Sequence, residues 1–267
     1  MTTAKIGPPQ RTVVQRLSSV PWWAVIIVIV GLWVFIEVSA DETYRKAFAA
    51  ISPGIELTLR VTAISYGLAL VIGLIFALMR ISTNPFLYAF STLYVEVVRG
   101  LPMLVIILYA GLVLGPAVRD YIRELSGNPD FDPPMLWRAI AGLSLGYGAY
   151  LAEIFRAGIQ SIGKGQMEAA RSLGMTYAQA MRLIILPQAV RRILPPLGND
   201  LIAMLKDSSL IAVLAVPETL QLGRLFISRT FRAFEGYNSV ALAFLAMTLL
   251  LSFVVRYMEK RLGVSGH

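Results

Sequence analysis

Val61-Thr-Ala-Ile-Ser-Tyr-Gly-Leu-Ala-Leu-Val-Ile-Gly-Leu-Ile-Phe-Ala-Leu-Met79 is nineteen residues without a charge. At 1.5 Å rise per residue, about 20 such residues cross the ~30 Å hydrocarbon core of a bilayer. The stretch therefore reads as a transmembrane helix. Working outward from it, Leu17–Ile36, Gly100–Val118 and Gly236–Val255 have the same character. Ala139–Ala152 is shorter but extends through Trp137 on one side and Ile154 and Phe155 on the other. A sixth stretch, Pro187–Met204, carries Pro195, Pro196, Gly198 and Asp200 and reads as a broken helix, tolerated at membrane depth only against protein or a polar cavity. The expectation is an all-α, polytopic membrane protein with six transmembrane helices.

The composition agrees. The chain has 267 residues, 57% hydrophobic and 15% charged, where globular chains average about 45–50% and about 25%. Cysteine is absent and the single histidine is His267, so disulfides, a His- or Cys-ligated metal and a Ser-His triad are not expected. No metal site is predicted. Lys5, Arg11 and Arg16 before the apolar run at Leu17 resemble the start of a signal peptide, but the run exceeds an h-region's ~7–15 residues. Trp33, Phe35 and Glu37 also replace a small-residue cleavage site, so a retained helix is favoured, with Trp22 and Trp23 as an interfacial belt.

The net charge of +8 needs a location. With the N-terminus inside, the inner segments hold Lys5, Arg11, Arg16, Arg80, Lys164, Arg171, Arg182, Arg191, Arg192, Arg256, Lys260 and Arg261. The outer segments hold eight basic residues against nine acids, whereas inside the acids are only Glu168 and Glu259. Lys and Arg gather in cytoplasmic loops. Both termini are therefore expected in the cytoplasm, and the positive charge marks a membrane face rather than a nucleic-acid partner.

The inner segment Ser161–Pro187 is polar and too long for a plain connector. Met167, Ala170 and Leu173, then Ala178, Met181 and Leu183, give two short helical patterns broken at Gly174, where a helix end with φ > 0 suits glycine. Thr176 and Gln179 have capping-box spacing. Two short helices at a fixed angle make a knob whose small Ala169 and Ala170 admit a partner closely. An amphipathic hairpin resting on lipid fits the same residues.

Glu168-Ala169-Ala170, Gly174, Ile184 and Leu186-Pro187 match, at every spacing, the EAA loop of ABC importer permeases. Other stretches resemble the polar amino acid subfamily, for histidine, glutamate, glutamine, arginine and opines. These are Gly54-Ile-Glu-Leu-Thr-Leu, the run Glu96-Val-Val-Arg99-Gly100-Leu-Pro102 (Leu101 where Thr is usual), and Tyr150-Leu-Ala-Glu153-Ile-Phe-Arg156-Ala-Gly-Ile-Gln160. The resemblance covers roughly residues 50–260. It implies a five-helix type I permease core over residues 54–258, containing the EAA coupling loop 161–187. A cytoplasmic tail, 1–19, and an extra helix, 20–38, would precede that core.

The resemblance further implies a permease subunit of an ATP-driven polar amino acid importer in a bacterial-type plasma (inner) membrane. A stand-alone secondary transporter or channel is the alternative. The Gly158–Gly165 string lacks the Ser/Thr of a phosphate loop, and a membrane helix precedes it instead of a strand. By the resemblance, ATP and Mg²⁺ bind a separate ABC ATPase, and this chain needs no cofactor. Glu168, Ala169, Ala170, Arg171, Gly174 and Met175 would meet that ATPase. The other implied partners are a second permease subunit, a periplasmic or extracellular binding protein, the amino acid and the lipid bilayer.

Charges inside spans cost ~2.5–3.5 kcal/mol on insertion scales, so they pair or face a cavity. Glu56 with Arg60, Glu96 with Arg99, and Glu153 with Arg156 have the spacing of intrahelical pairs. Asp200 has no basic residue three or four positions away. Tyr147, Tyr150, Glu153, Asn199 and Asp200 are candidates for a substrate path. Gly142, Gly146 and Gly148 also allow the tyrosines a packing role.

Overall fold

The computed structural model describes residues 40–261, together with Gly31 and Ile36. The tail 1–19, and the extra helix 20–38 apart from Gly31 and Ile36, lie outside the described residues. The chain divides into two compact units, Met1–Lys46 and Ala47–His267. In the first, the Asp41 carboxylate accepts the Thr43 N–H at 2.6 Å, and Glu42 pairs with Lys46 at 2.8 Å. The second unit holds the segment 161–187 and every candidate residue of the substrate path.

The described residues form helices and turns, with no strand among them. The long helix α1, Glu42–Ile81, contains the quoted stretch. Pro53 lies inside it and has no N–H for the Ala49 carbonyl; the Ser52 hydroxyl donates there instead, at 3.0 Å. Helix α2, Pro85–Arg99, starts at an Asn84 cap whose side chain accepts the Phe86 and Leu87 N–H groups. Helices α3, Met103–Tyr109, and α4, Gly115–Ser126, are joined by a π-turn, Ala110–Leu114.

Helix α5 spans Met135–Gln160. The knob follows as α6, Lys164–Ser172, and α7, Tyr177–Ala180. A second π-turn, Met181–Ile185, leads into α8, Leu186–Asp207. A 3₁₀ segment, Ser208–Leu214, precedes α9, Thr219–Thr230, and α10, Ala233–Arg261.

Both π-turns end two residues before a proline: Gly115 separates Leu114 from Pro116, and Leu186 separates Ile185 from Pro187. Each proline lacks the N–H owed to the carbonyl four residues back, and its ring crowds that carbonyl. Widening the turn by one residue relieves the crowding. The Gly115 N–H then bonds the Ala110 carbonyl, and the Leu186 N–H that of Met181.

Among the described residues, Glu42–Ile81, Met103–Ser126 and Ala233–Arg261 are long and apolar enough to cross a membrane. A fourth candidate is the pair Tyr177–Leu214 and Thr219–Thr230, bent by 48°. Helix α5 covers the expected fifth span but is too polar to pass on composition. It is instead the buried centre, packed against α2, α3 and α8. A helix walled by protein needs small residues for close approach more than it needs apolar bulk. A Cβ on Gly142 would sit 3.1 Å from the Ile107 Cα, and one on Gly148 2.6 Å from the Ile72 side chain.

Pro187–Met204 is not broken where expected. Helix α8 runs through Pro195 and Pro196, which deprive only the Arg191 and Arg192 carbonyls of their helical donors, and both residues are exposed. The break comes later, after Leu214, where Ala215 takes a left-handed φ of 57° and Pro217 follows.

Candidate functional site

The knob is built from local chemistry. Helix α6 ends in a Schellman arrangement: Gly174, at φ +81°, gives its N–H to the Arg171 carbonyl at 2.9 Å, and Met175 gives its own to Ala170 at 3.2 Å. The expected capping box is present, with the Gln179 N–H on Thr176 Oγ1 and the Thr176 N–H on Gln179 Oε1. Met167, Met181 and Ile184 anchor the knob on Ile162, Ile185, Ala189 and Ile193.

Of the residues expected to meet a partner, Glu168, Ala169, Arg171 and Gly174 are exposed, and Met175 is half-buried. Ala170 is buried within the chain's own fold. Leu173, in the same helical pattern as Met167 and Ala170, is 82% exposed, and Tyr177 is exposed too. An exposed leucine at the tip adds an apolar side chain to the knob's outer face beside the residues expected from sequence. Its signal was position: it immediately precedes the turning glycine.

The second feature is a polar seam between α5 and α8. The Tyr147 hydroxyl donates to Asp207 Oδ2 at 2.8 Å. The Tyr147 and Tyr150 ring centroids are 6.1 Å apart, and the Arg99 guanidinium carbon lies 5.7 Å from the Tyr150 centroid. Asp200 lies within electrostatic range of Tyr66 and Tyr147, and the Tyr66 hydroxyl donates to the Leu197 carbonyl at 2.7 Å. Asn199 is exposed. Tyr147, Tyr150 and Asp200 therefore share one region with an arginine at one end and carboxylates at the other. Asp207 was missed, although it follows Asp200 by seven residues, which returns it to the same helical face. An adjacent cavity of about 230 Å³ is lined mostly by apolar side chains, among them Leu70, Leu194, Leu201 and Val255, with Tyr66 and Glu259 as its polar members.

Glu153 belongs to a third feature. Its carboxylate takes Arg156 Nε at 3.0 Å, the Arg156 Nη2 as well, and Arg80 Nη1 at 3.0 Å. The Glu153–Arg156 spacing thus gives the expected pair, as does Glu56–Arg60 at 2.5 Å. Glu96 and Arg99 do not pair. Glu96 goes to Arg80 Nη2 at 2.8 Å, because α1 delivers a largely buried guanidinium between the two carboxylates, while Arg99 lies over Tyr150.

Residues 69–264 match the family described as "Binding-protein-dependent transport system inner membrane component". The probable glutamine ABC transporter permease protein GlnM of Bacillus subtilis is 38% identical over 82% of this chain and 95% of its own length. The arginine transport system permease protein ArgU of Corynebacterium glutamicum is 36% identical over 89% of this chain and 79% of its own. A solved structure described as "an amino acid ABC transporter with histidines" aligns at a TM-score of 0.70 and 35% identity, covering 81% of this chain and 95% of that one. With its helices, its apolar spans and these relatives, the chain belongs to the binding-protein-dependent inner-membrane transport components, as a permease of the amino acid ABC transporter kind.

Proposed function

We propose that this chain is the permease subunit of an ATP-driven importer of polar amino acids, coupled to a separate ATPase through residues 161–187. The observation that carries the reading is the EAA loop folded as an exposed knob, with Glu168, Ala169, Arg171 and Gly174 free to meet a partner. Ala170 then supports the knob from within, while Leu173 joins the docking face. ATP and Mg²⁺ bind the ATPase, and this chain holds neither. A second permease subunit completes the path, and an external binding protein delivers the amino acid. Six membrane helices, with both termini cytoplasmic, put the knob on the ATP side.

Affinity purification of the tagged chain from membranes tests this. A stoichiometric ATPase partner is expected, and proton-driven uptake by the chain alone in proteoliposomes would reject the reading.

Glutamine and arginine permeases among the relatives favour a polar substrate. In the seam, Arg99 suits an α-carboxylate, and Asp200 with Asp207 suits an ammonium or guanidinium. Losing one charge-assisted contact of about 1.5–3 kcal/mol weakens binding about ten- to a hundredfold. Asp200→Asn is therefore expected to raise the KM of uptake by about tenfold at unchanged membrane content. Radiolabelled uptake with a competing amino acid panel measures it, and an unchanged KM removes Asp200 from the path.

A further inference from the structure

Five polar side chains form an unbroken line where the knob leaves the membrane domain. Glu96 of α2 meets Arg80 at the end of α1 at 2.8 Å. Arg80 meets Glu153 of α5 at 3.0 Å, and Glu153 is gripped by Arg156, which also donates to Gln160 Oε1. Gln160 is the last residue of α5, and the next carbonyl, Ser161 O, accepts Arg192 Nη1 of α8 at 2.5 Å. Three residues further on, α6 begins at Lys164.

We infer that Arg80 is a positioning residue which ties α1 and α2 to the root of the knob, so that displacement of the knob moves these helices together with α5. The physical reason is directional. Apolar contacts between helices let one surface slide over another, whereas a guanidinium held by carboxylates resists both approach and separation in a fixed geometry. The Arg80 side chain is 13% exposed and Glu153 25%, so solvent screens this pair far less than the surface pair Glu56–Arg60, at 75% and 62%. Arg80 is also the sole direct bridge in the line between α1 and α5, because Glu96 reaches Glu153 only through it. Glu96, at 61% exposure, contributes less. The inference rests on the proposed docking of the knob on an ATPase.

The experiment uses the complete transporter in proteoliposomes with its binding protein. It compares Arg80→Gln and Arg80→Lys with the unaltered protein. Basal ATP hydrolysis and copurification of the ATPase are expected to persist in Arg80→Gln. Uptake, and the stimulation of hydrolysis by loaded binding protein, are expected to fall by about tenfold, within the usual 5–150-fold range of inter-site coupling. Arg80→Lys keeps the charge but not the fork, and should recover part of the stimulation. Unchanged uptake in Arg80→Gln overturns the inference. If Arg80→Gln fails to accumulate, Arg80→Lys decides: full coupling with a compact cation refutes the need for a forked bridge, and a reduced ratio of stimulated to basal hydrolysis supports it. Absence of an ATPase from preparations of the unaltered chain would instead refute the docking itself, whatever Arg80 does.

Discussion

Gly174→Asp is expected to abolish uptake while leaving the chain in the membrane at its normal level. A Cβ at Gly174 would meet nothing within 4 Å, so the substitution fits sterically. Its internal cost is the left-handed backbone at φ +81°, about 1–2 kcal/mol for an L-residue and least for Asn or Asp. That is a small penalty against a knob held by its Schellman bonds, its capping box and the Ile162–Ile193 cluster. The large effect comes from outside: a carboxylate at the exposed turn, beside Leu173, would be desolvated in any close interface without a partner. Gly174→Ala carries the backbone cost without the charge and should retain part of the uptake. Uptake by membrane vesicles, normalised to immunoblotted protein, measures both. Wild-type uptake by Gly174→Asp would remove the knob from the mechanism.

Gly54→Leu acts on folding instead. Gly54 lies on α1 where the helix meets the chain at Glu218 and Thr219. A Cβ there would be 2.6 Å from the Thr219 nitrogen and 2.7 Å from both the Glu218 carbonyl carbon and the Thr219 Cα. All three are backbone atoms, so no side-chain rotation relieves the clash and the two segments must part. Parting them breaks a buried polar joint: Thr58 Oγ1 lies 2.8 Å from Thr219 Oγ1, accepts the Thr219 N–H at 3.2 Å, and donates to Glu218 at 3.3 Å. Glu218 is fully buried and also caps α9 by accepting the Gln221 N–H at 2.8 Å.

Overpacking costs typically about 1–3 kcal/mol. Each orphaned buried polar group adds about 1–3 kcal/mol more. Gly54→Leu is therefore expected to lower the membrane content severalfold and the melting temperature in detergent. Gly67→Ala, on the same helix with nothing within 4 Å, is the control and should change neither. Equal melting curves for both variants would refute the joint.

What could be read in the sequence was what short stretches decide alone. Apolar length marked Val61–Met79 and Gly236–Val255, because a bilayer imposes one requirement on any helix that crosses it. The Gly174 turn and the Thr176–Gln179 box were legible for the same reason: their partners lie within five residues. The candidate path was legible only in part. Tyr147 and Asp200 are legible as polar residues within spans, but the hydrogen bond from Tyr147 to Asp207 joins residues 60 apart and leaves no local trace. Glu96 and Arg99 show the opposite failure. Their spacing is right for a helical pair worth a few tenths of a kcal/mol, and a largely buried Arg80 from another helix prevails. Pro195 and Pro196 are helix breakers by sequence, yet two missing donors do not end a helix held along much of its length by α5 and α10.

The π-turn at Met181–Ile185 has a mechanical meaning. It holds one residue more than the α-helix on either side, and that surplus is covalent length kept in reserve. Rewinding it to α pitch would turn the knob by about 100° about the axis of α8 and shift it by about 1.5 Å, and would press the Pro187 ring back against the Leu183 carbonyl. Pro187 thus sets which way the knob faces about the axis of α8, and Pro116 does the same between α3 and α4.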